Sequence, residues 1–302
     1  INVCKKLGFK KVVIARESSL DFIKEACKQD IQIETFVHGA ICVSYSGQCL
    51  MSSATKNRSA NKGACAQCCR LRYGLYENNK RVPTDTDYLL SPKDMSLIND
   101  IPSLIEAGVS SFKIEGRMKS SAYVGLVTSL YRKAIDSYYK GEKFSLSQKE
   151  YNELLSVFNR GFTDSYLKDN NVDIFSNFRP NHMGKEIGKV IDYRDGHCLI
   201  RLFDNINQFD GIRIISKKGD TGKILNTLTV NKKMVSKAYK NEIISVKVDS
   251  PVLKGDMVVR TLDYNLENRI NDYKLKRRPI DIKIKFNQNE DIEIYAKLNG
   301  LE

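Results

Sequence analysis

Hydrophobic positions along the first 140 residues alternate between two periods. Leu7-Gly8-Phe9 reads as a helix end closed by glycine, and the β-branched run Lys11-Val12-Val13-Ile14-Ala15 after it predicts a strand. Ser18 or Ser19 caps a helix through Phe22, Ile23 and Cys27, whose apolar positions fall at helical spacing. Ile31 to Val37 alternates with period two and predicts the next strand. Ser91-Pro92-Lys93-Asp94 predicts a helix start, Ile101 to Ala107 a further helix that Gly108 ends, and Ser111 to Glu115 a strand. A long helix from Tyr123 to Tyr139 follows. Strand and helix in alternation predict an α/β fold with parallel strands. Three such strands are too few for a closed eight-stranded barrel, so the sheet is small or its remaining strands lie outside the chain.

The pattern then changes. Residues 141–182 read as a helical connection, with one helix over 147–158 and a loop ending at Arg179-Pro180-Asn181. From 183 to 265 the short β-rich runs Ile187 to Tyr193, Cys198 to Phe203, Gly211 to Ile215 and Ile243 to Val248 alternate with Gly, Asp and Asn turns. They predict a β-rich accessory domain in the form of a small barrel. Residues 266–302 hold the basic stretch Lys274-Leu275-Lys276-Arg277-Arg278-Pro279, read as a solvated linker, and then Ile280 to Phe286 in strict alternation.

Composition narrows the class. At 41% hydrophobic and 28% charged residues the chain is neither disordered nor collagen-like. No apolar run reaches the roughly eighteen residues of a membrane helix. A formal charge of +13 argues for a polyanionic partner, most simply RNA. Position 1 is Ile and no leader follows it, and the last residues stop inside a strand pattern, so the expectation is part of a longer polypeptide.

Of the eight cysteines, Cys42, Cys49, Cys65, Cys68 and Cys69 fall in one Gly-, Ser- and Asn-rich stretch directly after a strand. Loops at the carboxyl ends of parallel strands are where α/β proteins place their sites. Cys4, Cys27 and Cys198 sit in apolar segments and read as small core residues. Adjacent Cys68-Cys69 and the α/β pattern speak against a disulfide scaffold. Zinc and an iron–sulfur cluster both take four thiolates, and the spacing leaves both open.

Glu34-Thr35-Phe36-Val37-His38-Gly39-Ala40-Ile41-Cys42, followed by Gly47-Gln48-Cys49-Leu50-Met51-Ser52, resembles the signature of the collagenase-like peptidases of family U32 at every fixed position. Gly63 to Arg70, Lys113 to Ser120 and Asn159-Arg160-Gly161-Phe162-Thr163 resemble further blocks of that family. Arg179-Pro180-Asn181-His182 and the β module resemble its long members that act as ribosomal RNA hydroxylases. The resemblance implies a partial TIM-barrel-like domain whose N-terminal strands are missing here. It implies oxygen-independent hydroxylation of a pyrimidine in ribosomal, or else transfer, RNA in the cytoplasm. It also implies a [4Fe-4S] cluster on Cys42, Cys49, Cys65 and Cys69, with prephenate as a co-substrate. Cys68 stands where the family commonly has proline and is the alternative fourth ligand. A barrel lacking strands would expose edges, which invites dimerisation or strand exchange.

Around this cluster, His38, Glu115 and Arg117 are the expected catalytic side chains; a structural histidine and a buried Lys–Glu pair are the plainer alternatives. Arg70, Arg72, Lys113 and Lys119 are expected to hold RNA phosphate or an acidic small molecule, with surface salt bridging as the alternative. Glu34 is expected to point into the barrel. Tyr45 and Tyr73 flank the cluster segment; packing beneath its loop is the expected role of both, base stacking the alternative. Lysines 217, 218, 232, 233 and 237 give the β module an RNA-positioning face, unless it merely braces the core. Two other functions compete: a secreted or cytosolic collagenase-like peptidase, and a non-catalytic RNA-binding module. The sequence carries no H-E-x-x-H and no G-x-S-x-G, and a thiolate bound to a cluster is unavailable as a nucleophile.

Overall fold

Ser19 starts a helix as its residue type requires: its Oγ accepts from Phe22 N at 3.3 Å, satisfying one of the N–H groups that a helix start leaves open. The computed structural model describes the chain apart from residues 169–172, 177–178, 218, 251, 273–278, 288–290 and 299–302. Helix α1 spans Asn2–Lys6, strand β1 Lys11–Val13, the capped helix α2 Leu20–Cys27 and strand β2 Gln32–Ala40. Helix α3 (Met51–Lys56) precedes the hairpin of β3 (Leu75–Glu77) and β4 (Lys80–Val82), whose turn residues Asn78 and Asn79 both have positive φ, as a two-residue hairpin turn favours. Next come β5 (Asp94–Ser96), α4 (Ile101–Glu106), β6 (Ser111–Ile114), α5 (Ser121–Tyr139), α6 (Gln148–Val157) and β7 (Phe162–Thr163).

β2 is the hub of the first sheet. It runs parallel to β1 and β6 and antiparallel to β5, and β5 carries β7 in parallel. The sheet is therefore mixed rather than all parallel. Ser91 to Asp94 do not open a helix. Lys93 N donates to Ile174 O at 2.7 Å and Asp94 N to Gly161 O at 2.9 Å, so this segment runs into β5. A residue before proline favours extended backbone, and these partners complete the bonds that a helix start would leave open.

Helix α5 buries Tyr123, Leu126, Val127, Leu130, Tyr131 and Ala134, a stripe at helical spacing, and Tyr131 OH reaches across to donate to Val37 O of β2 at 2.7 Å. With Ile23, Ile33, Ile101 and Leu104 this face forms the first hydrophobic core. From Lys185 to Leu262 eight strands form one antiparallel sheet, opening with the hairpin Lys185–Arg194/His197–Leu202. Its outermost strands, Thr221–Ile224 and Lys233–Val235, do not pair with each other among the described residues. The sheet is thus a curled half-barrel, not the closed barrel expected, over a second core that includes Ile187, Ile200, Ile212 and Val258.

Two units cluster separately, Ile1–Ile270 and Asn271–Glu302. The second, taken by itself, contains a hairpin of Asp281–Lys285 and Glu293–Lys297 with every strand residue exposed. Lys274 to Arg278 of the basic stretch lie outside the described residues. No described helix is long and apolar enough to cross a membrane.

Candidate active site

At the end of β2 the chain passes very close to the segment leaving β6. Gly39 has φ +110°, and a Cβ there would lie 2.3 Å from Glu115 O, so only glycine fits. Glu115 N donates to His38 O at 2.8 Å and locks this crossing. The crossing turns His38 inward and sends Cys42 into the loop beyond the sheet.

That loop carries the cysteines. The Cys69 thiol is pushed up in pKa by burial; Arg70 pulls it down, while the neighbouring Cys42, Cys65 and Cys49 push it up again. Cys42, Cys49 and Cys65 therefore lie within electrostatic reach of Cys69. Cys65 Sγ accepts from Gln67 N at 3.3 Å, and Ser52 Oγ lies 3.9 Å from it. Cys68 is turned another way. It is buried, its sulfur lies 3.2 Å from Thr55 Oγ1 and 3.9 Å from Ser52 Oγ, and those hydrogen bonds of α3 lower its pKa. Tyr73 OH donates to Cys68 O at 2.7 Å, so Tyr73 does brace the loop, whereas Tyr45 is 73% exposed and does not. Among the described residues, no three His, Cys, Asp or Glu side chains converge as a single metal ion requires.

Beside the cysteines is a buried ionic cluster. Arg160 grips Asp94 Oδ1 with Nε at 3.0 Å and Nη2 at 2.6 Å, and both side chains are almost fully buried. Arg70 is also buried and donates through Nη1 to Ser91 Oγ (3.1 Å) and Pro92 O (2.8 Å). Burial, then Arg160, lowers its pKa to about 10, while Asp94, Cys69 and Cys42 act the other way. Lys119 Nζ lies 2.8 Å from the Phe158 ring centroid. Burial first, then Arg160 and Arg70, depresses its pKa to about 8 against the opposing charge of Asp94. Three cations thus face one carboxylate, an excess of positive charge suited to an anion.

His38 is 1% exposed, ringed by Tyr123, Tyr131 and Phe162. Burial lowers its pKa to about 4, opposed by Asp94, so the imidazole is neutral at pH 7. Its Nδ1 lies 3.2 Å from Tyr131 OH; that hydroxyl already donates to Val37 O, so Nδ1 carries the proton and donates. Nε2 is then a buried acceptor without a partner.

The other expected residues scatter. Glu115 pairs with Arg16 (3.7 Å) and Lys113 with Glu34 (3.3 Å), so the anticipated Lys113–Glu115 pair does not form. Glu34 also accepts from Ser111 Oγ at 2.7 Å, and that hydrogen bond, with Lys113, holds its carboxyl below the usual pKa against the opposing effect of burial. Arg117 is exposed, and Arg72, exposed too, donates to Tyr88 OH at 3.3 Å. Lys217, Lys232, Lys233 and Lys237 are exposed on the β module, and Lys218 lies outside the described residues. Asp94 escaped the sequence reading because its segment looked like a helix start, and Arg160 was noticed only as part of the block Asn159 to Thr163.

A model described as Peptidase family U32 matches residues 1–175. The chain is 33% identical over 291 residues to a 23S rRNA 5-hydroxycytidine synthase of Escherichia coli, covering 92% of this chain and 44% of that protein. It is 36% identical over 268 residues to an uncharacterized protease of Methanocaldococcus jannaschii, covering 82% of this chain and 66% of the relative. Over 158 residues it is 45% identical to a tRNA hydroxylation protein of Bacillus subtilis, covering 50% of this chain and 37% of that one. The chain spans about half the length of these curated relatives.

Proposed function

The chain belongs to peptidase family U32, and from that membership and the site we propose that it is the cysteine-bearing part of an RNA hydroxylase acting on a pyrimidine base. Relatives named for 23S rRNA and tRNA hydroxylation support an RNA-modifying enzyme, with ribosomal RNA favoured by the relative that covers 92% of the chain. The observation that carries the reading is the loop from Cys42 to Cys69. Its donor set fits a [4Fe-4S] cluster on Cys42, Cys49, Cys65 and Cys69. One tetrahedral zinc would draw its thiolates to about 2.3 Å of a single point, whereas an inorganic core of several irons spans dispersed sulfurs. Cys69 is the fourth ligand in this reading, and Cys68, which lies against Thr55 and Ser52 of α3, is its alternative. Loops gathered at the carboxyl ends of the parallel strands β1, β2 and β6 accord with this placement.

A bound cluster supplies one-electron chemistry beside the base. Arg70, Arg160 and Lys119 form a cationic floor that holds a carboxylate of a small co-substrate, prephenate in this reading, or an RNA phosphate. Asp94 fixes Arg160 and offsets the mutual repulsion of the three cations. His38 offers a neutral acceptor at Nε2 in a water-poor pocket. Gly39 keeps the backbone of β2 and the Glu115 turn in contact, so that Cys42 and His38 keep their places.

The names of the family and of one relative point to proteolysis, but His38 hydrogen-bonds Tyr131 rather than a cysteine. The test is mass analysis of nucleosides from total RNA of cells expressing the parent protein or its Cys42→Ala variant. One added oxygen on a pyrimidine, present in the first and lost in the second, is expected. Unchanged pyrimidines in both would overturn the reading.

A further inference from the structure

A cavity of about 110 Å³ lies directly beside Cys42, lined by Arg16, Glu17, Cys42, Tyr45, Ser165 and Tyr166. Two of its lining residues carry buried polar atoms without a hydrogen-bond partner, Ser165 Oγ and Arg16 Nε. Ser165 is 4% exposed. Each such orphan costs about 1–3 kcal/mol unless a bound group completes it, and two on one small cavity mark a place built to be filled.

The walls are held in position. Ser165 has φ +58°, a region that non-glycine residues seldom enter, with its N–H donating to Thr163 Oγ1 at 3.0 Å. The Arg16 guanidinium lies 4.4 Å over the Phe36 ring and 3.7 Å from the Glu115 carboxylate. Glu17 accepts from Ser46 N at 2.6 Å and Ser46 Oγ at 2.9 Å, which fixes its carboxylate and leaves further lone pairs free. Tyr45 and Tyr166 stand close together, with the exposed Tyr45 at the outer edge.

Size, charge and donor pattern select the ligand. A cavity of about 150 Å³ holds one benzene ring, so the smaller cavity here encloses part of a six-membered ring, with the rest in the opening at the exposed Tyr45, and excludes a fused purine. Arg16 is balanced by Glu115 and Glu17, so the walls do not carry the positive excess that a phosphate needs. Two orphan donors match a ring carbonyl, and the Glu17 carboxylate matches an exocyclic amino group. Two phenol rings match a planar face.

We propose that this cavity receives the target pyrimidine, swung out of the RNA strand, with Tyr45 and Tyr166 on its face and Ser165 Oγ and Arg16 Nε on its carbonyl edge. The inference rests on the RNA-hydroxylase reading and adds to it the place where the base sits. Cys42 in the wall then sets the ring against the cluster ligand, as reaction on an extruded base requires.

The test is ultraviolet crosslinking of the full chain, purified without oxygen, to transcribed ribosomal RNA carrying 5-iodocytidine, with crosslinked peptides mapped by mass spectrometry. Crosslinks on the Tyr45 or Tyr166 segments are expected. Tyr45→Ala should lower them about tenfold, as stacking worth about 1–3 kcal/mol implies, and Ser165→Gly, which relieves the positive φ while removing the hydroxyl, should lower them several-fold, as loss of one hydrogen bond implies. Neither variant should lower the melting temperature, and Tyr45→Phe should restore the crosslink. RNA bound and crosslinked only elsewhere, or undiminished crosslinks in both variants, would overturn the cavity assignment and leave the RNA reading standing. A chain that binds no RNA would overturn both.

Discussion

Replacing Asp94 with asparagine leaves Arg160 as an uncompensated buried charge. Arg160 holds Asp94 Oδ1 through two nitrogens at 3.0 and 2.6 Å, and the two side chains are 6% and 4% exposed. Water therefore cannot take over the role of the carboxylate. Arg70 and Lys119 raise the cost further, because each is already depressed in pKa by Arg160 and lifted by Asp94. Breaking a buried pair by removing one partner costs about 3–5 kcal/mol. At about 2–4 °C per kcal/mol for large domains, the melting midpoint should fall by about 6–20 °C. Circular dichroism melts and urea unfolding at pH 7 measure this directly. The double variant Asp94→Asn/Arg160→Met removes the stranded charge along with its partner and should recover most of the loss. A single-variant loss under about 1 kcal/mol, or a double variant no better than the single, would refute the argument that burial makes this pair costly to break.

Other consequences follow from the same geometry. The folded His38 pKa of about 4 lies below the unfolded 6.5, so its contribution is complete above 6.5 and is lost as pH falls from there toward 4. The full effect is about 3 kcal/mol at 1.36 kcal/mol per unit; an imidazole proton resonance that titrates near 6.5 would contradict it. Lys119 titrates near 8 when folded and 10.5 when unfolded, so between those values the unfolded chain holds the extra proton and stability rises with pH. Lys119→Met should flatten that rise in the urea midpoint, and an identical slope in both proteins would count against a half-buried, desolvated ammonium. Gly39→Ala must move either β2 or the Glu115 turn and should cost more than about 2 kcal/mol, whereas Gly8→Ala, with open space around it, should cost about 1. Equal melting temperatures for the two would show that the crossing is loose.

What the sequence disclosed, and what it hid, divides along physical lines. Period-two and helical patterns located β1, β2, β6 and α5 because each buries one face against the same core. Ser91 to Asp94 misled because a local capping pattern competes with strand partners at Gly161 and Ile174, which only the folded chain supplies. Family membership was legible from the signature running from Glu34 to Ser52. The resemblance sets Cys69 apart from Cys68, which stands where the family commonly has proline, but that Cys68 is buried against Thr55 and Ser52 of α3 is visible only in the folded chain. The Asp94–Arg160 pair spans 66 residues, beyond any local pattern. Alternation predicts one face for Lys113 and Glu115, but β6 ends at Ile114, and partners on β2 and on the segment after β1 claim the two side chains.

The central claim is that Cys42, Cys49, Cys65 and Cys69 hold an iron–sulfur cluster. Anaerobic purification of the chain and of its Cys68→Ala and Cys69→Ala variants, followed by iron, sulfide and zinc analysis, tests it most directly. About four irons and four sulfides per chain are predicted for the parent and for Cys68→Ala, and their loss in Cys69→Ala. Stoichiometric zinc, an absence of metal under strictly anaerobic conditions, or a cluster that depends on Cys68 rather than Cys69 would contradict it.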